Sequence, residues 1–420
     1  MRTVGRAKPR FVTVTAPPAK AYTLRALLLA SLAEGQSVLE SPLLADDQLK
    51  MIGCLRNLGI SIDVEPDRIV VQGCGGRFPA KATDLYVGDS GVTMNFLASA
   101  AVFANKPVTI GGTPRLNERP VKEVVDGVRQ LGAQVDYLGT EGFPPLRVHP
   151  LPLTGGKASL HGAVTSQYFS SLVISSALAS RPVELVCLDE MTERPYFDIS
   201  VSMMADFGVS AENHDYRRVT IAAPQSYQSR TYRVEGDYSS ASFLFLVAAV
   251  LGSTVRVEGL RQDSVQGDRL FLDFLARMGC RVEWNGGSVT VTGGQLVGLE
   301  QDMSDVPDLV PPLAAAAVFA HGTTRFTRIG HLVHKESNRV AAMETELRKM
   351  GAAVTHDETT MTIEGRPEVL HGAAVSTYND HRIAMSLAIA GLAVGNQHIE
   401  NPGCVAKSFP DFWEKLSLFE

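Results

Sequence analysis

The sequence predicts an α/β protein of six repeated units, grouped as two lobes of three, with buried helices wrapped by sheet. Three observations carry this. An amphipathic helix ending in apolar-Gly-apolar recurs as LRNLGI, VRQLGA, MADFGV, LARMGC and LRKMGA. Its glycines, Gly59, Gly132, Gly208, Gly279 and Gly351, lie 73, 76, 71 and 72 residues apart. Between the copies fall helices apolar on most of their circumference and β-branched strands, always in the same order. Unrelated α/β elements would space such glycines irregularly, and a solenoid would repeat a short consensus motif that this chain lacks.

Each unit opens with the apolar helix: LRALLLASLA, TMNFLASAAVFA, YFSSLVISSALA, SFLFLVAAVL, LAAAAVFA and RIAMSLAIAGLA. Helices apolar all round are buried ones. A turn and a β-branched strand follow, as in QSVLES, KPVTIGG, RPVELVCL and STVRVEG. Then comes the amphipathic helix, stopped by its glycine in a left-handed conformation, and often a hairpin strand such as DRIVVQG or SVTVTG. A sixth glycine would fall just beyond the helix-like PDFWEKLSLF.

Composition excludes other classes. With 420 residues, 45% hydrophobic and 20% charged, the chain is not disordered, collagenous or coiled coil. A net charge of −6 without a basic tract argues against nucleic acid as a partner. Apolar runs such as Phe243 to Leu251 are too short to span a bilayer, and no apolar stretch follows the basic N-terminus. Five scattered cysteines without a CxxC pair read as reduced thiols, and no HExxH is present. The expectation is a cytoplasmic, metal-free globular protein whose total charge suggests no anionic ligand.

The placement of charge suggests the opposite. Polar clusters precede the apolar helices: Lys20 to Arg25, Gly88 to Gly91, Thr165-Ser166-Gln167, Glu235 to Asp237, Asp305 to Asp308, and Asn379 to Arg382. Second helices open with Asp46-Asp47, Glu118-Arg119-Pro120, Arg194-Pro195-Tyr196, Gln266-Gly267-Asp268, Lys335-Glu336 and Lys407-Ser408. Capping explains the Ser, Thr and Asp, but cations at helix N-termini oppose the macrodipole and need another reason. Parallel helices would bring these ends together in a cationic cleft between the lobes, suited to small phosphates and carboxylates. Asp308 and Glu336, held among those cations, suit acid–base work.

These residues carry a resemblance. LRALLLASLAEG, LLADD, NERPV, GFPPLRV, TSQYFSSLV, RPYFDI, VEGDYSSASFL, VPDLVPPLA, HKESNRVAAMETELRKMGA, TYNDHRIAMSLA and VAKSFPDFWEKL run in order along nearly the whole chain. They resemble the 5-enolpyruvylshikimate-3-phosphate synthase family, enolpyruvyl transferases of the shikimate pathway. The resemblance implies a two-lobed inside-out α/β barrel of six βαβαββ-type repeats. Residues 1–18 with 236–420 would hold repeats four to six and the phosphoenolpyruvate-side cations. Residues 19–235 would hold repeats one to three and most shikimate-3-phosphate contacts. It further implies transfer from phosphoenolpyruvate to the 5-hydroxyl of shikimate-3-phosphate by addition and elimination, without metal or organic cofactor, by a monomer that closes on its substrates. The implied phosphoenolpyruvate set is Lys20, Gly91, Arg119, Gln167, Arg339, Arg382 and Lys407. The implied shikimate-3-phosphate set is Lys20, Arg25, Thr165, Ser166, Gln167, Thr192, Tyr196, Asp308 and Lys335. Lys20, Asp308, Glu336 and His381 would move protons.

Departures from the family pattern cluster at Ala21, Leu24, Val92, Asn95 and Phe96, with Asn338 and His331 elsewhere. They leave open a divergent paralogue that uses the same site on another shikimate-like acceptor or for a different elimination. The retained charged set argues against a silent binding protein. The loop GGTPRLNERP lacks the cysteine of the related transferases that act on UDP-amino sugars.

Overall fold

The structure, a computed structural model, describes residues 1–420. The chain divides into a continuous unit, Lys20–Val234, and a discontinuous one, Met1–Ala19 with Glu235–Glu420.

The continuous unit contains α1 (Lys20–Leu32), α2 (Asp46–Asn57), α3 (Gly91–Ala100), α4 (Lys122–Gln130), α5 (Gln167–Ser176) and α6 (Arg194–Asp206). The discontinuous unit contains α7 (Tyr238–Leu251), α8 (Leu270–Arg277), α9 (Val310–Ala317), α10 (Arg339–Lys349), α11 (His381–Val394) and α12 (Phe412–Ser417). Apolar composition decides which helices go inside. Every residue from Tyr22 to Leu32 of α1, and from His381 to Leu392 of α11, is buried. In contrast, α4 buries only Val124, Val125, Gly127 and Val128 and presents its charged residues outward. Small residues let the central helices approach closely. Where α3 meets α5, the Ser99 hydroxyl lies 2.6 Å from that of Ser171 and 2.7 Å from that of Ser175.

Three separate sheets accompany the helices of each unit, and none closes on itself. The common pattern is a strand pair in parallel, extended by an antiparallel hairpin. Thus Asp84–Tyr86 runs parallel to Val108–Gly111, which pairs antiparallel with Leu146–Val148 and through it with Val135–Tyr137. Glu300–Asp302, Gly322–Thr327, Met361–Gly365 and Ala353–His356 repeat this order in the other unit. The repeat glycines adopt φ of +94°, +96°, +81°, +109° and +90° at the helix ends, and a Cβ on Gly59 would lie 2.3 Å from the Pro79 carbonyl oxygen.

Two leading strands are exchanged. Phe11–Thr15 precedes α1 in sequence but pairs with Thr254–Glu258 of the discontinuous unit. Thr231–Arg233 precedes α7 but pairs with Gln36–Glu40 of the continuous unit. The sixth sheet has three strands: Ala374–Val375, Gln397–Ile399 and, in place of a hairpin strand, Arg2–Val4. No helix is long and apolar enough to cross a membrane.

Candidate active site

In the discontinuous unit the starts of α9, α10 and α11 gather one buried ionic network. Arg339, the first residue of α10, is 1% exposed and bonds three carboxylates. Its Nη1 donates to Asp308 Oδ1 at 2.6 Å, its Nη2 to Glu336 Oε2 at 2.8 Å and its Nε to Asp380 Oδ2 at 2.8 Å. Arg382 Nη2 lies 2.8 Å from Asp308 Oδ2, and Lys407 Nζ lies 3.2 Å from Glu336 Oε1. A guanidinium at a helix N-terminus works against the dipole, and the three carboxylates compensate.

Asp380 also caps α11 by accepting from the Arg382 backbone N–H at 2.9 Å, and Ser337 Oγ donates to it at 3.1 Å. It is delivered by two consecutive left-handed residues, Tyr378 and Asn379, at φ +53° and +56°. Buried Glu346 holds that turn, accepting from the Tyr378 hydroxyl at 2.7 Å and the Ser376 N–H at 3.0 Å. His381 Nδ1 lies 3.7 Å from Asp380 Oδ1.

Electrostatics separates the carboxyls. Burial alone would raise Asp308, but the charges of Arg382, Arg339 and Lys335 outweigh it and hold the group well below the usual carboxylate range. Asp268, just before α8, goes the other way: burial, and then the nearby Asp308 charge, push it up to about 7. The network thus holds one carboxylate that stays ionised and one carboxyl that titrates near neutrality.

The continuous unit arranges its residues at the starts of α1, α3, α5 and α6. Lys20 Nζ pairs with Asp47, the second residue of α2, at 2.7 Å. Arg25 is buried. Its Nε donates to Ser200 Oγ at 2.8 Å, Nη2 to the Tyr196 carbonyl at 2.8 Å and Nη1 to the Ala21 carbonyl at 3.0 Å. The guanidinium sits 5.3 Å from the Phe96 ring centroid, and burial lowers its pKa to about 10. Two departures, Ala21 and Phe96, therefore belong to the setting of Arg25. A third, Asn95, donates to Gln167 Oε1 at 3.0 Å and fixes that amide.

Arg119 lies flat against Gly91, where a Cβ would come within 2.7 Å of the guanidinium. Its Nη1 is buried without a hydrogen-bond partner. A buried guanidinium nitrogen in that state is suited to an anion. At α5, the Thr165 hydroxyl donates to Glu193 Oε2 at 2.5 Å and the Ser166 hydroxyl to the Glu193 carbonyl at 2.9 Å. Thr192 donates to the carbonyls of Gly162 and Ala163, at 3.3 Å each.

The predicted residues thus fall into two sets. Asp308, Lys335, Glu336, Arg339, His381, Arg382 and Lys407 belong to the discontinuous unit, and Lys20, Arg25, Gly91, Arg119, Thr165, Ser166, Gln167, Thr192 and Tyr196 to the continuous one. Sequence reasoning gave no role to Asp47, Glu193, Asp268, Glu346 or Asp380. Asp47, Asp268 and Asp380 stood in clusters where an acidic residue reads as a cap. Glu193 and Glu346 carried no such signal.

The cations in these two sets are chemically suited to small, multiply anionic molecules. The model of the EPSP synthase (3-phosphoshikimate 1-carboxyvinyltransferase) family matches residues 8–416. A 3-phosphoshikimate 1-carboxyvinyltransferase of Methanoculleus marisnigri is 44% identical over 98% of both chains. One from Escherichia coli O6:H1 is 40% identical over 96% of this chain and 95% of its own. The solved EPSP synthase of Acinetobacter baumannii superposes with a TM-score of 0.83 at 25% identity, covering 99% of this chain and 97% of the other. The chain belongs to the EPSP synthase family.

Proposed function

We propose that this protein transfers the enolpyruvyl group of phosphoenolpyruvate to the 5-hydroxyl of shikimate-3-phosphate and releases phosphate, a step of the shikimate pathway. One observation carries the reading. A chain 44% identical to an enzyme named for that transfer gathers Asp308, Glu336, Arg339, Arg382 and Lys407 into a single buried network.

The chemistry needs a base at the acceptor hydroxyl, an acid at C3 of the donor and cations on the departing phosphate. The donor's carboxylate and phosphate are assigned to Lys20, Arg119, Arg382 and Lys407, with Gly91 giving Arg119 room and Gln167 in the same set. Arg339 belongs to the same set, and its three carboxylate bonds give it a second task, orienting Asp308 and Glu336. The acceptor is assigned to Arg25, Thr165, Ser166, Gln167, Thr192, Tyr196, Lys335 and Asp308, with Lys20 shared.

Asp308 is the base in this scheme, and the donor's charge is what activates it. With Arg382 and Lys335 both acting on it, the carboxylate holds a proton poorly. An incoming anion competes for those cations, which raises the proton affinity of Asp308. Glu336 and Lys20 exchange protons with C3 and the phosphate bridge, and His381 supports them. The protein acts as a cytoplasmic monomer.

Incubation with both substrates should release phosphate and yield a product whose mass is that of shikimate-3-phosphate with one hydroxyl hydrogen replaced by the enolpyruvyl group. Phosphate release from shikimate-3-phosphate alone, or no enolpyruvyl product at saturation, would refute the reading. Gly91→Ala should raise the KM for phosphoenolpyruvate about tenfold or more, because the new methyl displaces Arg119 from a charge-assisted contact. Its thermal midpoint should stay close to that of the parent, since only the end of a flexible side chain must shift. A KM within twofold of the parent would remove Arg119 from the donor set.

A further inference from the structure

Three hydroxyls stand around the start of α5, and all three turn their protons inward. A hydroxyl has one proton to donate. Thr165 gives its proton to the Glu193 carboxylate, Ser166 to the Glu193 carbonyl, and Thr192 to the carbonyls of Gly162 and Ala163. The backbone N–H of Gln167 donates to Thr165 Oγ1 at 3.3 Å. What these side chains offer a ligand is lone pairs, beside a carboxylate that is 2% exposed. Glu193 is held there at φ +56°, ψ +32°, a left-handed conformation that is unfavourable for a glutamate. The surrounding fold keeps the carboxylate in place despite that cost.

A dianionic phosphate fits such a subsite badly. To bind one, Thr165 must withdraw its proton from a carboxylate only 2.5 Å away, and the two negative groups must lie side by side. A neutral hydroxyl on the ligand needs no rearrangement, because it can donate directly to the lone pairs.

We propose that Glu193 is a specificity-determining residue: it turns the α5 subsite toward a hydrogen-bond-donating hydroxyl and away from a dianionic phosphate, so that a non-phosphorylated shikimate-like acid competes as acceptor. This rests on the assignment of the acceptor to a set that includes Thr165, Ser166 and Thr192, and takes its phosphate to be the group that meets these three hydroxyls.

The test compares the full-length protein with Glu193→Gln, which keeps the side-chain size and an oxygen for Thr165 while replacing the other oxygen with an N–H₂ donor. The probes are shikimate-3-phosphate and shikimate, each with saturating phosphoenolpyruvate, and each by calorimetric binding without turnover. Glu193→Gln should lower KM and Kd for shikimate-3-phosphate about tenfold or more. It should leave the KM for phosphoenolpyruvate unchanged and bring no gain with shikimate. An unchanged affinity for shikimate-3-phosphate overturns the proposal, as does an equal change for both acceptors. Should Glu193→Gln fold poorly, Glu193→Asn serves instead, because asparagine tolerates the left-handed backbone. If the parent protein turns over neither acceptor, the transferase reading fails, while binding of shikimate-3-phosphate to parent and variant still decides the role of Glu193.

Discussion

Arg339→Met should destabilise the discontinuous unit by roughly 3–5 kcal/mol, the usual consequence of stripping the counterion from buried charges. Arg339 is 1% exposed, and its three nitrogens bond Asp308, Glu336 and Asp380. Without it Asp308 keeps Arg382 and Glu336 keeps Lys407, but Asp380, fully buried, loses its ion pair at 2.8 Å. Arg339→Lys should fall between parent and methionine variant, since one ammonium cannot reproduce a planar fork addressed to three carboxylates. Urea titration followed by near-ultraviolet circular dichroism would measure both. A loss below about 1 kcal/mol in Arg339→Met would mean that the network stabilises no more than a surface pair does.

The second large effect belongs to Asp308. Asp308→Asn should cut kcat about 10²–10⁴-fold, the range of a general base. The KM for phosphoenolpyruvate should hold or fall, because Arg382 loses the carboxylate that competes with the ligand. A kcat within tenfold of the parent would remove Asp308 as the base. Stability offers a separate check. Asp308 titrates lower folded than unfolded, so its contribution is complete above the ordinary carboxylate value near 4 and is lost as pH falls below it. Parent and variant should therefore diverge in acid, and between about pH 4 and 7 the parent should lose more stability with rising pH, because the Asp308 charge is part of what raises Asp268.

Much of this architecture was legible because it is written locally and repeatedly. A helix that must end on a left-handed residue selects glycine, and a helix apolar on every side has nowhere to go but inside. Five glycines and six apolar helices therefore marked the units. The exchanged strands were not legible. Phe11–Thr15 and Thr231–Arg233 have the local character of any short strand, and nothing near either names its partner. The cations of the site stood out because they violate the helix dipole. Their counterions did not, since an aspartate before a helix satisfies the ordinary capping rule. Glu193 was the least visible of all, because its importance lies in a backbone angle that glutamate does not advertise.

The strand exchange also sets an order of events during synthesis. The continuous unit contains every strand of its own three sheets, so it can complete itself once Arg233 has emerged from the ribosome. The discontinuous unit cannot. Thr3 pairs with His398, 395 residues later, and Phe11–Thr15 must wait for Thr254–Glu258. The first fifteen residues are therefore held as an unpaired, β-prone segment for most of translation, while the chain between them and their partners folds. Contacts of such separation form slowly, and an unpaired strand edge is open to intermolecular pairing. The vulnerable phase of this protein's life is thus the interval between the folding of one unit and the arrival of the last strands of the other.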